Sequence, residues 1–143
     1  MINKMTIKFD SISENEAFAR NVIASFILPL NPSIGEISDV KTAVSEAVTN
    51  AIVHGYPDSV GQVTMSAEID GKDLHITVSD CGVGIENLEQ ALQPFFTSKE
   101  EEERSGMGFT IIKTFMDEVK VTSKANFGTV VEMIKTISSD LKE

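Results

Sequence analysis

A carboxylate and an amide lie one helical turn apart near the middle of this chain. Apolar residues at helical spacing predict an amphipathic helix, and Glu46 and Asn50 point away from its apolar stripe. Mg²⁺ prefers oxygen ligands, so a side-chain amide together with phosphate oxygens is a suitable partial shell. A nearby carboxylate could orient or deprotonate an attacking hydroxyl. Taken singly, both residues also fit an ordinary exposed helix face. The stripe consists of Val40, Val44, Val48, Ala51 and Ile52.

An aspartate followed by two glycines ends a later predicted strand. Every second side chain of that strand is predicted to face the interior, and Asp80 falls at the next such position. A carboxylate directed into an interior needs a hydrogen-bond donor. The exocyclic amine of adenine would serve, and Gly82 and Gly84 would let the backbone approach a flat ring. On its own, the pattern also fits a turn aspartate that bonds its own backbone.

A second glycine turn, at residues 106–108, precedes another helical pattern. The unpaired N–H groups at the start of a helix form an anion site, and glycine permits close approach. Lys99 and Arg104 flank this turn and could reach phosphates. Thr129 carries a hydroxyl at a strand end that could meet a base, although a β-branched residue is also ordinary in a strand. Together, the acid–amide helix and the two glycine turns suggest a pocket for a magnesium nucleotide.

Four further polar features have simpler explanations. His54 lies on roughly the same helix side as the acid–amide pair, but it is typical of a helix end that contacts the last carbonyls. His75 alternates outward on a strand and is predicted to be a surface residue. Cys81, the single cysteine, excludes an internal disulfide and fits as a small filler in its turn. The glutamates at 100–103 are predicted to form a solvated face of a lid loop.

The composition predicts one soluble globular domain over residues 1–143. Hydrophobic residues make up 41% and charged residues 24% of the 143 residues. A net charge of −10 argues against direct nucleic-acid binding, which needs clustered lysine and arginine. No apolar run approaches the ~20 residues that span a bilayer, and the N-terminus lacks the apolar block of a signal peptide. We therefore expect a cytoplasmic protein that does not bind a membrane.

Sequence periodicity predicts three helices. The pattern from Ser13 to Glu16 is a capping box that opens the first helix, and Pro29 and Pro32 end it. Ser38 or Asp39 is expected to cap the second helix, which Gly55 and Pro57 stop. The apolar positions predict the third helix after residue 108. The first helix is expected to bury Phe18, Val22, Ile23, Phe26, Ile27 and Leu30, and the third Phe109, Ile112, Phe115 and Met116.

Alternating segments predict five strands, two of them joined by a hairpin at Asp70-Gly71. We expect an α+β two-layer sandwich, with a mixed, mostly antiparallel sheet and helices on one face. Residues 94–108 lack periodicity, which in a compact domain indicates a functional or disordered loop. The predicted strands cover residues 5–10, 63–69, 74–78, 119–122 and 129–137.

The order of these motifs resembles the Bergerat-type ATP-binding domain shared by gyrase, Hsp90, histidine kinases and MutL. Its N-box matches Glu46-x-x-x-Asn50 with His54-Gly55. Its glycine boxes match Asp80-x-Gly82-x-Gly84 and Gly106-x-Gly108, and Gly128-Thr129 follows. Within that superfamily the chain is similar to the stand-alone bacterial anti-sigma factor serine kinases, in particular to the sporulation anti-sigma F factors. Their N-box also contains E-A-V-T-N-A, and their lid contains P-F-F-T-S.

The resemblance implies cofactors and roles for individual residues. Asn50 would ligate Mg²⁺, Asp80 would bind the adenine amine of ATP, and Glu46 would be the base that activates a serine hydroxyl. Positioning of the reacting groups and neutralisation of the phosphate charge would supply most of the rate enhancement of phosphoryl transfer. The residues implied to contact the nucleotide are Asn50, His54, Asp80, Gly82, Gly84, Thr97, Ser98, Lys99, Arg104, Ser105, Gly106, Met107, Gly108 and Thr129.

The resemblance also implies protein partners. Such proteins withhold a sigma factor from RNA polymerase, phosphorylate an anti-anti-sigma protein on serine, and usually form homodimers. The first helix is the candidate partner surface, since Arg20 is its single cation and lies off the apolar face. Two alternatives remain open: an ATP-dependent binding module without kinase activity, and a stand-alone histidine-kinase-like ATPase.

Overall fold

The computed structural model describes residues 1–85 and 108–138. Its five strands form one sheet in the order β1-β2-β3-β5-β4, and each described pairing is antiparallel. The expected α+β class is therefore confirmed, with no parallel pair among the described strands. The elements are β1 (Ile2–Asp10), α1 (Glu14–Phe26), a 3₁₀ turn (Leu28–Leu30), α2 (Ile34–Asn50), a π turn (Ala51–Gly55), β2 (Gln62–Asp70), β3 (Asp73–Asp80), α3 (Gly108–Phe115), β4 (Glu118–Lys124) and β5 (Gly128–Thr136).

One face of the sheet supplies the core. On β2 and β3 each second residue is buried, as the period-2 pattern of a half-buried strand requires. The helix α2 packs against both α1 and α3 and buries its predicted stripe from Val40 to Ala51. No helix within the described residues is long and apolar enough to cross a membrane. The buried apolar side chains of β2 and β3 are Val63, Met65, Ala67, Ile69, Leu74, Ile76 and Val78.

The predicted hairpin between β2 and β3 is confirmed. Asp70 pairs with Asp73, so Gly71 and Lys72 form a two-residue loop. Gly71 has φ +65°, a conformation that glycine adopts without a steric cost. This tight turn fixes the register of β3, and that register determines which face of the sheet Asp80 occupies.

The predicted apolar face of α1 is only partly correct. Ala19 and Ile23 are fully buried, whereas Phe18 is 47% exposed and makes an edge-on contact with Phe9, with 6.2 Å between ring centroids. Two apolar stripes run side by side on this helix, and periodicity does not distinguish which of them faces the core. Ala19 occupies the inner stripe because a small side chain lets α1 lie close to its neighbours.

The two predicted N-caps have different outcomes. Ser13 is the N-cap residue of α1, as predicted, but its side chain makes no capping hydrogen bond. The expected cap of α2 at Ser38 or Asp39 is wrong, because α2 already begins at Ile34. The capping box is instead formed at the start of α2. There Ser33 Oγ accepts from Glu36 N–H at 3.0 Å, and Glu36 Oε1 accepts from Ser33 N–H at 3.0 Å. Both serines are followed by a glutamate three residues later, so only the backbone conformation separates them.

We expect Ser33→Ala to lower the free energy of unfolding by about 1 kcal/mol, because it removes the cap of α2, the longest helix among the described residues. Ser13→Ala is the matched control, since the Ser13 side chain makes no cap bond. Urea unfolding of the two variants measures the difference. Equal losses in both would contradict the assignment of the cap.

Candidate functional site

Asp80 lies at the end of β3 and is 8% exposed. Its Oδ1 accepts from Gly82 N–H at 2.9 Å, and the Thr129 backbone N–H is a second donor. Burial raises the pKa of this carboxyl above its ordinary value, and the two backbone hydrogen bonds oppose that effect in part. No lysine or arginine pairs with it within residues 1–85 and 108–138. The sequence-based expectation of an inward-facing acid, held partly by its own turn, is confirmed.

The first glycine box packs directly on the π turn that follows α2. Val83 N–H donates to Gly55 O at 2.9 Å. A Cβ atom added at Gly82 would lie 1.9 Å from Gly55 O, and one added at Gly55 would lie 2.8 Å from Asp80 Oδ1. Real Cβ atoms do not approach this closely, so both positions require glycine.

The β4–β5 hairpin closes the other side of the same box. Gly84 has φ +74°, and a Cβ atom there would lie 2.1 Å from Lys124 O. Gly128 has φ +119°, and a Cβ atom there would lie 2.0 Å from Asp80 O. Two separate turns therefore hold the backbone around Asp80 at distances that only glycine allows.

Thr129 is the Cα partner of Asp80 across the β3–β5 ladder, so their side chains share one face. The structure thus brings together two residues that are 49 positions apart in sequence. Thr129 Oγ1 lies 2.7 Å from Ser123 Oγ, a hydroxyl contact that no sequence motif indicates.

Tyr56 is a second residue that sequence reasoning did not identify. Its hydroxyl accepts from Cys81 N–H at 2.8 Å and donates to Gln62 O at 2.8 Å. The ring lies so close to Gly61 that a Cβ atom added there would be 2.1 Å from it. Tyr56 thereby joins the start of β2 to the residue that follows Asp80. The available signal was an aromatic residue directly after a helix-ending glycine, which is too common to be specific.

Asn50 lies against the start of α3. A Cβ atom added at Gly108 would lie 3.0 Å from Asn50 Nδ2 and 3.2 Å from Asn50 Oδ1. The N-terminal end of a helix attracts anions, so the amide is next to a potential phosphate site. The structure therefore places Asn50 of the N-box next to Gly108 of the second glycine box. The other predicted nucleotide ligands lie outside the described residues: Thr97, Ser98, Lys99, Arg104, Ser105, Gly106 and Met107.

Glu46 and Arg20 line one groove of about 600 Å³ between α1 and α2. Arg20 Nε donates to Glu16 Oε2 at 2.9 Å, so the guanidinium is held along α1. Glu46 is half-buried and takes part in an interaction of its own. Arg20, the predicted partner-binding residue, and Glu46, the predicted base, therefore lie along the same groove. Its lining also includes Ile34, Ile37, Ser38, Lys41, Thr42 and Ser45.

The two histidines and the cysteine have different surroundings. His54 lies on the π turn, where the wider turn changes its direction relative to α2, and it is half-buried and engaged in an interaction. His75 is exposed on the strand, as predicted. Cys81 is a free, exposed cysteine. Within the described ranges, 1–85 and 108–138, no group of three His, Cys, Asp or Glu residues can hold a metal.

Comparisons with known proteins identify the family of this chain. Residues 12–135 match the model of the histidine kinase-like ATPase domain. The anti-sigma F factor of Anoxybacillus flavithermus is 53% identical over 139 residues, which cover 96% of this chain and 95% of that protein. The anti-sigma F factor of Clostridium acetobutylicum is 54% identical over 133 residues, 93% of each chain. This chain belongs to the anti-sigma F factor family of histidine kinase-like ATPase domains.

Solved structures extend the likeness to the fold alone. The RsbU and RsbW domains of Rv1364c from Mycobacterium tuberculosis match with a TM-score of 0.68 at 18% identity, over 94% of this chain and 32% of that one. The catalytic domain of the histidine kinase ThkA matches with a TM-score of 0.58 at 18% identity, over 93% and 96% of the two chains. Use of ATP follows from membership of the ATPase family, as the resemblance implied.

The raised pKa of Asp80 predicts a pH dependence of stability. Because the folded protein holds this proton more tightly than the unfolded chain, the contribution of Asp80 is largest below the unfolded pKa. It is lost as the pH rises through the folded pKa. We expect the difference in free energy of unfolding between the parent and Asp80→Asn to fall from about pH 4 to about pH 7.

Urea unfolding without nucleotide measures this difference. Asp58→Asn is the control for loss of one carboxylate, because Asp58 is exposed. A parent-minus-variant difference for Asp80→Asn that is flat across this range, or that rises, would contradict the prediction.

Proposed function

We propose that this protein is an anti-sigma factor that binds and inhibits a sporulation sigma factor. As an ATP-dependent protein serine kinase, it phosphorylates and inactivates the anti-anti-sigma protein that opposes it. The observation that carries the proposal is the junction of Asp80, Gly55 and Gly82, where a buried acid meets the end of the helix that bears Glu46 and Asn50. Relatives about 53% identical over nearly the whole chain are named anti-sigma F factors.

The base pocket is proposed to bind adenine. The Asp80 carboxylate accepts from the exocyclic amine, and a buried acid without a side-chain cation among the described residues is suited to a neutral donor. Gly82, Gly84 and Thr129, which surround Asp80, are proposed to line the base. The further proposed nucleotide contacts are His54, Thr97, Ser98, Lys99, Arg104, Ser105, Gly106, Met107 and Gly108.

The phosphate end is proposed to lie between Asn50 and the start of α3. The Asn50 amide lies beside Gly108, since a Cβ atom built there would be 3.0 Å from Nδ2 and 3.2 Å from Oδ1, and the first N–H groups of a helix are available to an anion. This donor set fits Mg²⁺, which takes few protein oxygens and completes its shell with phosphate and water. Mg²⁺ bound there would neutralise charge on the phosphates.

Glu46 is proposed to act as the base in phosphoryl transfer. It lies one turn before Asn50 on α2, next to the groove that would admit a partner. Its carboxylate takes the proton from a serine hydroxyl, the serine oxygen bonds to the γ-phosphorus, and the bond from that phosphorus to the ADP oxygen breaks. Alignment of the serine hydroxyl with Glu46 and the γ-phosphate supplies most of the acceleration of phosphoryl transfer.

The groove between α1 and α2 is the proposed partner surface. Arg20 lies at one part of it and Glu46 at another, so a protein that pairs with Arg20 would present its serine near the base. The chain is further proposed to act as a single domain over residues 1–143 and as a homodimer.

The central test is transfer of label from [γ-³²P]ATP to a purified anti-anti-sigma protein in the presence of Mg²⁺. We expect acid-stable phosphoserine with the parent, and a loss of at least 100-fold in rate with Glu46→Gln, because the general base is removed. Glu46→Gln keeps its ATP-dependent rise in melting temperature, whereas Asp80→Asn loses most of it.

The same experiment separates the alternatives. Acid-labile phosphohistidine on a partner would favour the histidine-kinase-like ATPase. ATP binding without any transfer would favour the binding module without kinase activity. A parent whose melting temperature does not respond to ATP and Mg²⁺ would overturn the proposed nucleotide site itself.

We expect Arg20→Ala to weaken binding of the sigma factor or of the antagonist by about tenfold, because one charge-assisted contact is lost. Lys120→Ala is the matched control, since Lys120 is an exposed cation on β4, outside the groove. Isothermal titration calorimetry with each partner measures both variants. Unchanged affinity for both partners would remove Arg20 from the proposed surface.

A further inference from the structure

One face of α2 lines the groove along most of the length of the helix. Ile34, Ile37, Lys41 and Glu46 all lie on the groove wall, and hydroxyl side chains occupy positions between them. The lining positions follow one another at intervals of one and three residues, which places them on a single helix face. The buried stripe from Val40 to Ala51 lies on a different face. The helix α2 therefore supports the core with one side and presents a continuous row of side chains to the groove with another.

The two cations of the groove differ in their surroundings. Arg20 Nε donates to Glu16 Oε2 at 2.9 Å, so the guanidinium already has a counter-ion. Lys41 lines the α2 wall, is half-buried, and makes no ion pair with any residue in the ranges 1–85 and 108–138. In a chain of net charge −10, this ammonium group lies in a concave surface without a neutralising carboxylate. A cleft concentrates the field of such a charge and attracts an anionic group.

Apolar surface adjoins this cation toward the start of α2. Ile37 lies one turn before Lys41 and is half-buried, and Ile34 lies two turns before it and is 87% exposed. Ile34 is more exposed than any other large apolar side chain that the structure describes. Apolar area beside a charge suits contact with a protein surface. A polyanion is a poor fit, because Glu16 and Glu46 in the same groove would repel it.

The order of these groups along α2 gives a docked partner a direction. A helix rises about 1.5 Å per residue, so Lys41 is about 7.5 Å from Glu46 along the axis, and Ile34 is about 10.5 Å from Lys41 on the other side. A partner that brings a serine to Glu46 therefore has a position about 7.5 Å from that serine which faces the ammonium group. A carboxylate at that position gains a counter-ion, and an apolar side chain beyond it reaches the two isoleucines.

We propose that Lys41 binds a carboxylate of the anti-anti-sigma protein and that Ile34 and Ile37 receive an apolar side chain next to it. This face of α2 then selects the phosphate acceptor and holds its serine at Glu46. The inference rests on the proposed kinase function, and it adds the residues that recognise the acceptor. Because the contact is made on docking and is kept unchanged during phosphoryl transfer, it lowers the KM for the acceptor without altering kcat.

The test measures label transfer from [γ-³²P]ATP over a range of concentrations of the purified anti-anti-sigma protein. We expect Lys41→Ala to raise the KM for that protein about tenfold, while kcat and the ATP-dependent rise in melting temperature stay those of the parent. Lys41→Arg keeps the charge and is expected to restore most of the affinity. Lys41→Glu is expected to raise KM further than Lys41→Ala, because repulsion replaces attraction.

Ile34→Ser tests the apolar part of the surface and is expected to raise KM several-fold, because less apolar area is buried on docking. Since Ile34 is exposed, this substitution leaves the core intact. The matched controls are Lys120→Ala and Val60→Ser, which remove an exposed cation and an exposed apolar side chain outside the groove. Both controls are expected to keep the KM of the parent.

Two results would overturn this inference while the proposed function stands. One is an unchanged KM in both Lys41→Ala and Ile34→Ser. The other is a lower kcat at unchanged KM in Lys41→Ala, which would assign Lys41 to the transfer step instead of docking. A parent that transfers no phosphate to the anti-anti-sigma protein would overturn the proposed function and this inference together.

Discussion

The whole site depends on one buried carboxylate held between glycine backbones. Asp80 ends β3 where the π turn and the β4–β5 hairpin meet, and its carboxylate lies too close to Gly55 for any larger residue there. Burial of an unneutralised acid opposes folding. Two backbone N–H groups compensate in part, and the proposed adenine amine would supply a further donor.

The helix α2 links this acid to the proposed chemistry. Its inner face forms the centre of the core, while its outer face carries Glu46 and Asn50. The helix then widens into the π turn, which brings Gly55 O to the N–H of Val83. A displacement of α2 would therefore alter the proposed base, metal and partner contacts together. Such coupling is a physical route by which nucleotide binding could influence partner binding.

Most of the architecture could be predicted from the sequence because it follows from local rules. Alternation gave the strands, the Asp70-Gly71 turn gave the hairpin, and helical spacing gave the buried face of α2. The errors also have local causes. The Ser13 and Ser33 capping patterns are alike as sequence, and only the backbone conformation of the serine separates them. Both stripes of α1 are apolar, so the packing partner decides which one is buried.

The sequence by itself determined the fold class, the acid–amide helix and the inward direction of Asp80, since each depends on residues within one or two turns of chain. Only the tertiary structure placed Ser123 beside Thr129, Tyr56 beside Cys81, and Arg20 in one groove with Glu46. These contacts join elements that are distant along the chain. Their geometry is decided by sheet order and helix packing, which no short motif encodes.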